Sequence, residues 1–432
     1  MTAPGSNFAR HANGLSQRAQ WAGGESFVSA LMARALNQPE LVSLAAGFVD
    51  QQTLPVNAVR QAMEDLWRQP DCARAALQYG TTIGYLPLRD AIMDRTLAAD
   101  RTTARQAGIS VQQVVITAGS NQLLYLVSDA LLDPGDIVLC GAPTYFVYLG
   151  TLVNLGARAV GVDVDEHGLI PESLEEQFER LERAGELGRV KAVYITTYYD
   201  NPTGVTISSE RRARIVELAK RWSRGNRIYV LEDIAYRELR YHGEEPPSML
   251  TFDAEHDTVV QAGTFSKSFS PGVRVGWGIL PPLLIEPVLA AKGNIDFGSP
   301  NFNQVLMATV LETGLFDAHV ASLRAGYRTK LDAMLEACDE YLGTLEGVAW
   351  VRPSGGLYVW IRLPDPVDTG LDGPLFDRAV AEGVLYVPGG YCFPAFGGSA
   401  RVNMLRLSFG VQACEGIRRG VEALARAVKL VM

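Results

Sequence analysis

The sequence predicts an α/β protein, with a large domain on a mostly parallel wound sheet and a smaller α+β domain at the C-terminal end. Three observations predict it. At 432 residues the chain exceeds the size at which one hydrophobic core stops growing, so two domains are expected. Between about residues 110 and 280, short β-rich runs alternate with helical patterns, as in strand–helix–strand winding. Beyond 341 the pattern becomes mixed, with strand-like runs at 355–360 (GGLYVW) and 403–409 (NMLRLSF). The chain divides accordingly into a flexible segment 1–24, a helix and loop 25–54 that join the small domain, a large domain 55–320 and a small domain 321–432.

The elements follow in order. Residues 25–36 carry Phe27, Leu31 and Ala35 at helical spacing until Pro39 stops the pattern. Strand-like runs then come at 114–119 (VVITAG), 136–143 (DIVLCGAP), 157–165 (ARAVGVDVD), 190–197 (VKAVYITT), 227–233 (RIYVLED), 258–265 (TVVQAGTF) and 273–280 (VRVGWGIL). Helices at 121–132 and 209–221 lie between them, and helical patterns dominate 303–341.

Composition excludes several classes. Apolar residues at 47% and charged residues at 20% describe an ordinary globular protein. A net charge of −9 argues against a nucleic-acid or anionic-membrane surface. No apolar run reaches the roughly 18 residues of a spanning helix. The polar first twenty residues lack a signal core, so a cytoplasmic location is expected. Five cysteines, at 72, 140, 338, 392 and 414, have no CxxC spacing, and five histidines are equally dispersed, so neither a disulfide framework nor a metal site is expected.

Ligands of open α/β sheets bind beyond the carboxyl ends of strands, and four strand ends carry unusual polar groups. The first is Thr117-Ala118-Gly119-Ser120-Asn121, where Ser120 is a natural N-cap and the helix start offers an anion site. The second is the turn Asp200-Asn201-Pro202-Thr203-Gly204. The third is Glu232-Asp233-Ile234-Ala235-Tyr236, where carboxylates end a buried strand at a cost unless paired. The fourth is Thr264-Phe265-Ser266-Lys267, with Arg274 seven residues on. Each alone has an ordinary explanation as a turn or a solvated loop. Together, an anion site, an acid, an asparagine, a tyrosine and an amine suit a phosphorylated aromatic aldehyde held as a Schiff base, namely pyridoxal phosphate.

In this order and spacing, G-S-N-Q, D-N-P-T-G, D-I-A-Y and S-K-x6-R resemble the fold-type I pyridoxal-phosphate aminotransferases of class I/II. The lysine motif, G-G-L-Y-V-W and V-P-G-G are most similar to the α-aminoadipate and kynurenine aminotransferase branch. The resemblance implies that Lys267 carries the cofactor and moves the substrate proton, and that Asp233 faces the pyridine nitrogen. It implies that Asn201 and Tyr236 donate to the ring oxygen and that Tyr145 stacks on the ring. Gly119, Ser120, Asn121, Thr264, Ser266 and Arg274 would hold the phosphate. Ala118 stands where this branch often has Ser or Thr, a loss of one donor at most.

For the substrate, Arg406 matches the arginine that pairs with the α-carboxylate, and Gly47 the glycine that leaves room above it. The following loop departs from the family pattern, with Val49 for a proline and Leu54 for a phenylalanine. Residues 27–33 hold no basic group, so no strict dicarboxylate preference is expected. Tyr79 matches the tyrosine that reaches the neighbouring subunit's phosphate, which implies a homodimer with shared sites. The implied activity is ping-pong transfer of an amino group from an L-amino acid to a 2-oxo acid through pyridoxamine phosphate. Other chemistry on the same scaffold (β-lyase, decarboxylase or cyclising synthase) shares the cofactor pocket. A regulator with an aminotransferase-like sensor is disfavoured, because only about 40 residues precede the matching region, too few for a winged helix and linker.

Overall fold

The computed structural model describes residues 14–21, 40–397 and 401–432. Numbered along the chain, the strands among the described residues are β1 (Val42–Ser43), β2 (Val114–Thr117), β3 (Ile137–Ala142), β4 (Arg158–Asp165), β5 (Gly168–Leu169), β6 (Val190–Thr196), β7 (Tyr229–Asp233), β8 (Val259–Thr264), β9 (Gly276–Ile279), β10 (Ala349–Trp350), β11 (Tyr358–Arg362), β12 (Val384–Leu385), β13 (Val387–Pro388) and β14 (Met404–Ser408). One eight-stranded sheet runs in the order β2-β9-β8-β7-β6-β3-β4-β5. Strands β8, β7, β6, β3 and β4 are mutually parallel, while β9 is antiparallel to both of its neighbours.

Both faces of this sheet are covered, which is why its central strands are apolar nearly throughout. Along β6, Val193 and Ile195 enter one core while Ala192 and Tyr194 enter the other, as the two-residue pleat requires. Helix Ser120–Leu131 covers one face with Leu123, Leu124 and Val127; helix Ser209–Trp222 covers the other with Ile215, Leu218 and Trp222. The second helix starts where the Ser208 side chain accepts from the Arg211 N–H. The first starts differently from expectation. Gly119, at φ 88, is the cap and Ser120 is the first helical residue. The turn out of β2 needs a left-handed backbone, which glycine adopts without strain, so serine moves into the first turn.

The smaller unit is an antiparallel sheet, β10-β11-β14-β13. Helix Cys414–Lys429 lays Ile417, Val421, Leu424 and Val428 against its core, a stripe at helical spacing. Long helix Leu315–Ala337 adds Tyr327, Leu331 and Met334 to the same core. Strand β1 pairs parallel with β12, so Leu44 and Ala45 are buried there too. The loop that follows is anchored: Lys330 Nζ lies 2.7 Å from Asp50 Oδ2, and the Asp50 N–H donates to the Tyr327 hydroxyl at 3.1 Å.

Part of the segment expected to be flexible, Gln17–Trp21, is helical. The Trp21 ring lies over Gly156, where an added Cβ would come within 2.4 Å of it, so an apolar ring has a flat surface to cover. The helix expected at 25–36 lies outside the described residues. No described helix is long and apolar enough to cross a membrane.

Candidate active site

The carboxyl ends of β2, β3, β6, β7 and β8 open onto a cavity of ≈ 440 Å³. All the expected site residues line it except Gly119, which lies directly behind Arg274, and Tyr79.

At one end stands Asp233, the last residue of β7. Its Oδ1 accepts from the Ala235 N–H at 3.0 Å and its Oδ2 from the Tyr194 hydroxyl at 3.1 Å. Burial pushes its carboxyl up to about 6, against the pull of those hydrogen bonds and of Lys267. Its neighbour Glu232 points to the opposite face of the sheet. There it accepts from Thr197 Oγ1 at 2.9 Å, the Met249 N–H at 3.0 Å and Gln261 Nε2 at 3.1 Å, with Arg212 3.8 Å away. Of the two strand-ending carboxylates, then, one is paired inside the core and one faces the cavity.

Lys267 follows β8, and its Nζ donates to the Gly47 carbonyl at 2.8 Å. The Thr264 hydroxyl donates to Ser266 Oγ at 2.9 Å. Arg274 has a left-handed backbone (φ 49), and its Nη2 donates to the Ala118 carbonyl at 3.0 Å. Its Nη1 is 3.4 Å from Ser266 Oγ. An added Cβ at Gly119 would sit 2.6 Å from Arg274 Nη2, so only glycine lets the guanidinium lie against the helix start. A cation, hydroxyls and the free N–H groups of a helix N-terminus thus share one corner, a donor set made for a dianion.

Across the cavity, Arg406 on β14 is 2% exposed. Its Nη1 donates to Asn201 Oδ1 at 2.7 Å and its Nη2 to the Ala45 carbonyl at 2.9 Å, while Nε has no partner. Neither of these partners is a carboxylate, so this buried cation keeps its charge for an arriving anion. An added Cβ at Gly47 would lie 2.9 Å from the Tyr358 hydroxyl and 4.0 Å from Arg406 Nη2, so glycine keeps the space beside the guanidinium clear.

The Tyr145 hydroxyl is hydrogen-bonded by the Asn121 side chain, and burial pushes it up to about 12. The Tyr236 hydroxyl is 3.2 Å from that of Tyr358. Tyr79 is brought to no part of the cavity: it is 80% exposed, with its ring edge-on to Phe297 at 5.5 Å.

The family model for aminotransferase class I and II matches residues 39–423. The chain belongs to the class I and II aminotransferases. It is 35% identical to aromatic-amino-acid aminotransferase 1 of Thermococcus litoralis, over 92% of this chain and 90% of that one. It is 34% identical to the 2-aminoadipate transaminase of Thermus thermophilus, over 92% of each. The structure of Pyrococcus horikoshii kynurenine aminotransferase in complex with PMP matches with a TM-score of 0.86 at 33% identity, covering 96% of this chain and 97% of that one. This aminotransferase therefore takes an amino acid and a 2-oxo acid as substrates.

Sequence reasoning missed Phe146 and Tyr358, which line this aminotransferase's cavity, and Tyr194, whose hydroxyl donates to Asp233. Tyr358 is explained by a strand pairing that the sequence does not show. Trp360 on β11 is paired directly with Arg406, and Tyr358, two residues earlier, shares its face. Tyr194 carried no signal, because a buried strand tyrosine looks like core until its hydroxyl is seen on Asp233.

Proposed function

We propose that this aminotransferase holds pyridoxal 5'-phosphate in the cavity, joined to Lys267, and works by a ping-pong mechanism. The observation that carries the reading is the opposition of two cations across one cavity: Lys267 on the sheet edge, and Arg406, buried without a carboxylate, on the small unit. Bound there, the cofactor supplies the electron sink that lets an α-carbon lose its proton, and it stores the amino group between half-reactions.

The chain's own residues do the rest. Arg274, Ser266, Thr264, Ser120, Asn121 and the Gly119–Ser120 N–H groups hold the phosphate. Asp233 accepts from the ring N–H, and Tyr194 keeps its carboxylate aimed. Asn201 and Tyr236 donate to the ring oxygen, and the Tyr145 ring covers one face. Arg406 binds the α-carboxylate and Gly47 leaves it room. With the cofactor bound, the Lys267 amine would be the group placed to take the α-proton and to return it. Among the described lining residues, the cations Lys267, Arg274 and Arg406 are all engaged by this scheme, and Phe48, Phe146, Val147 and Val387 are apolar. That supports a preference not restricted to dicarboxylic donors; residues 27–33, on which the same expectation rested, lie outside the described residues.

We also propose a homodimer in which Tyr79 completes the partner's phosphate site. The exposed apolar group of Leu77, Tyr79, Ile295 and Phe297 supports it. The assignment of 55–320 to the cofactor domain and 321–432 to the small domain is supported by their separate sheets, since β2 to β9 fall in the first and β10, β11, β13 and β14 in the second. Five free cysteines fit a cytoplasmic protein.

The test is a single half-reaction. Excess amino acid without a 2-oxo acid should release about one 2-oxo acid per site, with no ammonia or carbon dioxide, and leave the cofactor as its amine. Continuous ammonia or carbon dioxide release would contradict transamination.

A further inference from the structure

Tyr358 is assigned no role by the scheme above, yet it stands where two of the scheme's residues meet. It is 1% exposed and lines the cavity from β11. Its hydroxyl is 3.2 Å from the Tyr236 hydroxyl, with the two rings edge-on at 5.7 Å and 79°. The Arg406 guanidinium carbon lies 4.2 Å from its ring centroid, and Gly47 closes on its hydroxyl from the other side. The ring therefore has no freedom to turn away, and its hydroxyl has one fixed neighbour.

We propose that Tyr358 is a positioning residue whose hydroxyl donates to the Tyr236 oxygen and so strengthens the hydrogen bond that Tyr236 gives to the cofactor's ring oxygen. This rests on the cofactor reading above. The argument is a count of protons. A phenol has one O–H and can accept two hydrogen bonds. Once Tyr236 directs its only proton at the cofactor, it has none left for Tyr358. The 3.2 Å contact then remains a hydrogen bond only if Tyr358 is the donor. A hydroxyl that accepts a hydrogen bond becomes a better donor in turn, by about 10–30% per bond.

The surroundings favour that direction. Burial raises the Tyr358 phenol, but the Arg406 and Lys267 cations beside it work against burial, and the group is held below its ordinary value. Burial pushes Tyr236 well above its own. The more acidic phenol is the stronger donor, and it is the one farther along the chain. Tyr358 would thus act on the cofactor through Tyr236.

The readout is the pH midpoint of the bound cofactor's visible band. A hydrogen bond to the ring oxygen stabilises the negative charge there, which favours loss of the proton from the adjacent lysine nitrogen and lowers the midpoint. Weakening it must raise the midpoint. Cofactor-loaded wild type, Tyr236→Phe, Tyr358→Phe and the double variant are titrated spectroscopically. Tyr358→Phe keeps the ring against Arg406 and removes only the hydroxyl. It should raise the midpoint by about a tenth to a third of the rise in Tyr236→Phe. In the Tyr236→Phe background the same change should move nothing, because its effect has lost its carrier. No shift in Tyr358→Phe, or an equal shift in both backgrounds, would overturn the proposal. A wild type without any titrating visible band would instead overturn the cofactor reading, and this proposal with it.

Discussion

Arg406 and Asn201 form a hydrogen-bonded pair, Nη1 to Oδ1 at 2.7 Å, that joins β14 of the small unit to the turn after β6 of the large sheet. The asparagine oxygen is thereby fixed on the arginine, and its NH₂ group is left for another acceptor. A carboxylate arriving at Arg406 is bound by a residue already tied to the cofactor's proposed neighbour.

Arg406→Ala should keep the cofactor's visible band, with a small shift of its pH midpoint because Asn201 and Tyr358 lose their arginine contact, and should slow the single half-reaction by roughly two or more orders of magnitude, as expected when about 3 kcal/mol of positioning is lost. Asn201→Ala should alter both the spectrum and the rate. Stopped-flow spectra of the two variants check this; an unchanged half-reaction in Arg406→Ala would remove the arginine from carboxylate binding.

Asp233 gives a pH prediction. Burial holds its carboxyl up near 6 in the cofactor-free protein, while the bound cofactor's ring N–H needs the ionised form. Below about that pH, binding must first remove a proton, so affinity should rise with pH up to about 6 and flatten above it. The cofactor's phosphate titrates in the same region and adds a rise of the same sign. Asp233→Asn isolates the two, and cofactor affinity measured from pH 5 to 8 should lose the carboxylate's share of the slope as well as its overall tightness. Parallel profiles for wild type and Asp233→Asn would contradict the pairing.

Tyr79 is exposed and does not line the cavity of its own chain. Tyr79→Phe should weaken cofactor retention by about 1.5–3 kcal/mol, the worth of a hydrogen bond to a charged group. A mixed dimer of Tyr79→Phe with Lys267→Ala collects both lesions in one site if sites are shared, and about half the wild-type activity should remain. Activity falling to that of the single variants would show that Tyr79 acts within its own subunit.

Much of this site was legible because each cofactor-facing group sits just beyond a β-rich run. Asp233 ends its strand, Lys267 and Asn201 follow theirs within a few residues, and parallel strands put such ends on one edge of a sheet. The start of the first helix was less legible. A serine before an apolar run looks like a cap, but the cap is set by which residue must take positive φ, and that was Gly119. Strand alternation says that Glu232 and Asp233 face opposite ways but not which faces the cavity; it was the family resemblance that picked out Asp233. Tyr358 and Tyr194 depend on contacts between distant segments, 122 and 39 residues apart from their partners.

The central claim is that Lys267 carries the cofactor. Purified protein supplied with pyridoxal phosphate should be yellow, and borohydride reduction followed by digestion should leave the pyridoxyl group on the peptide containing Lys267. Lys267→Ala should bind no cofactor covalently. A colourless protein, or a pyridoxyl group fixed on any other lysine, would contradict the account.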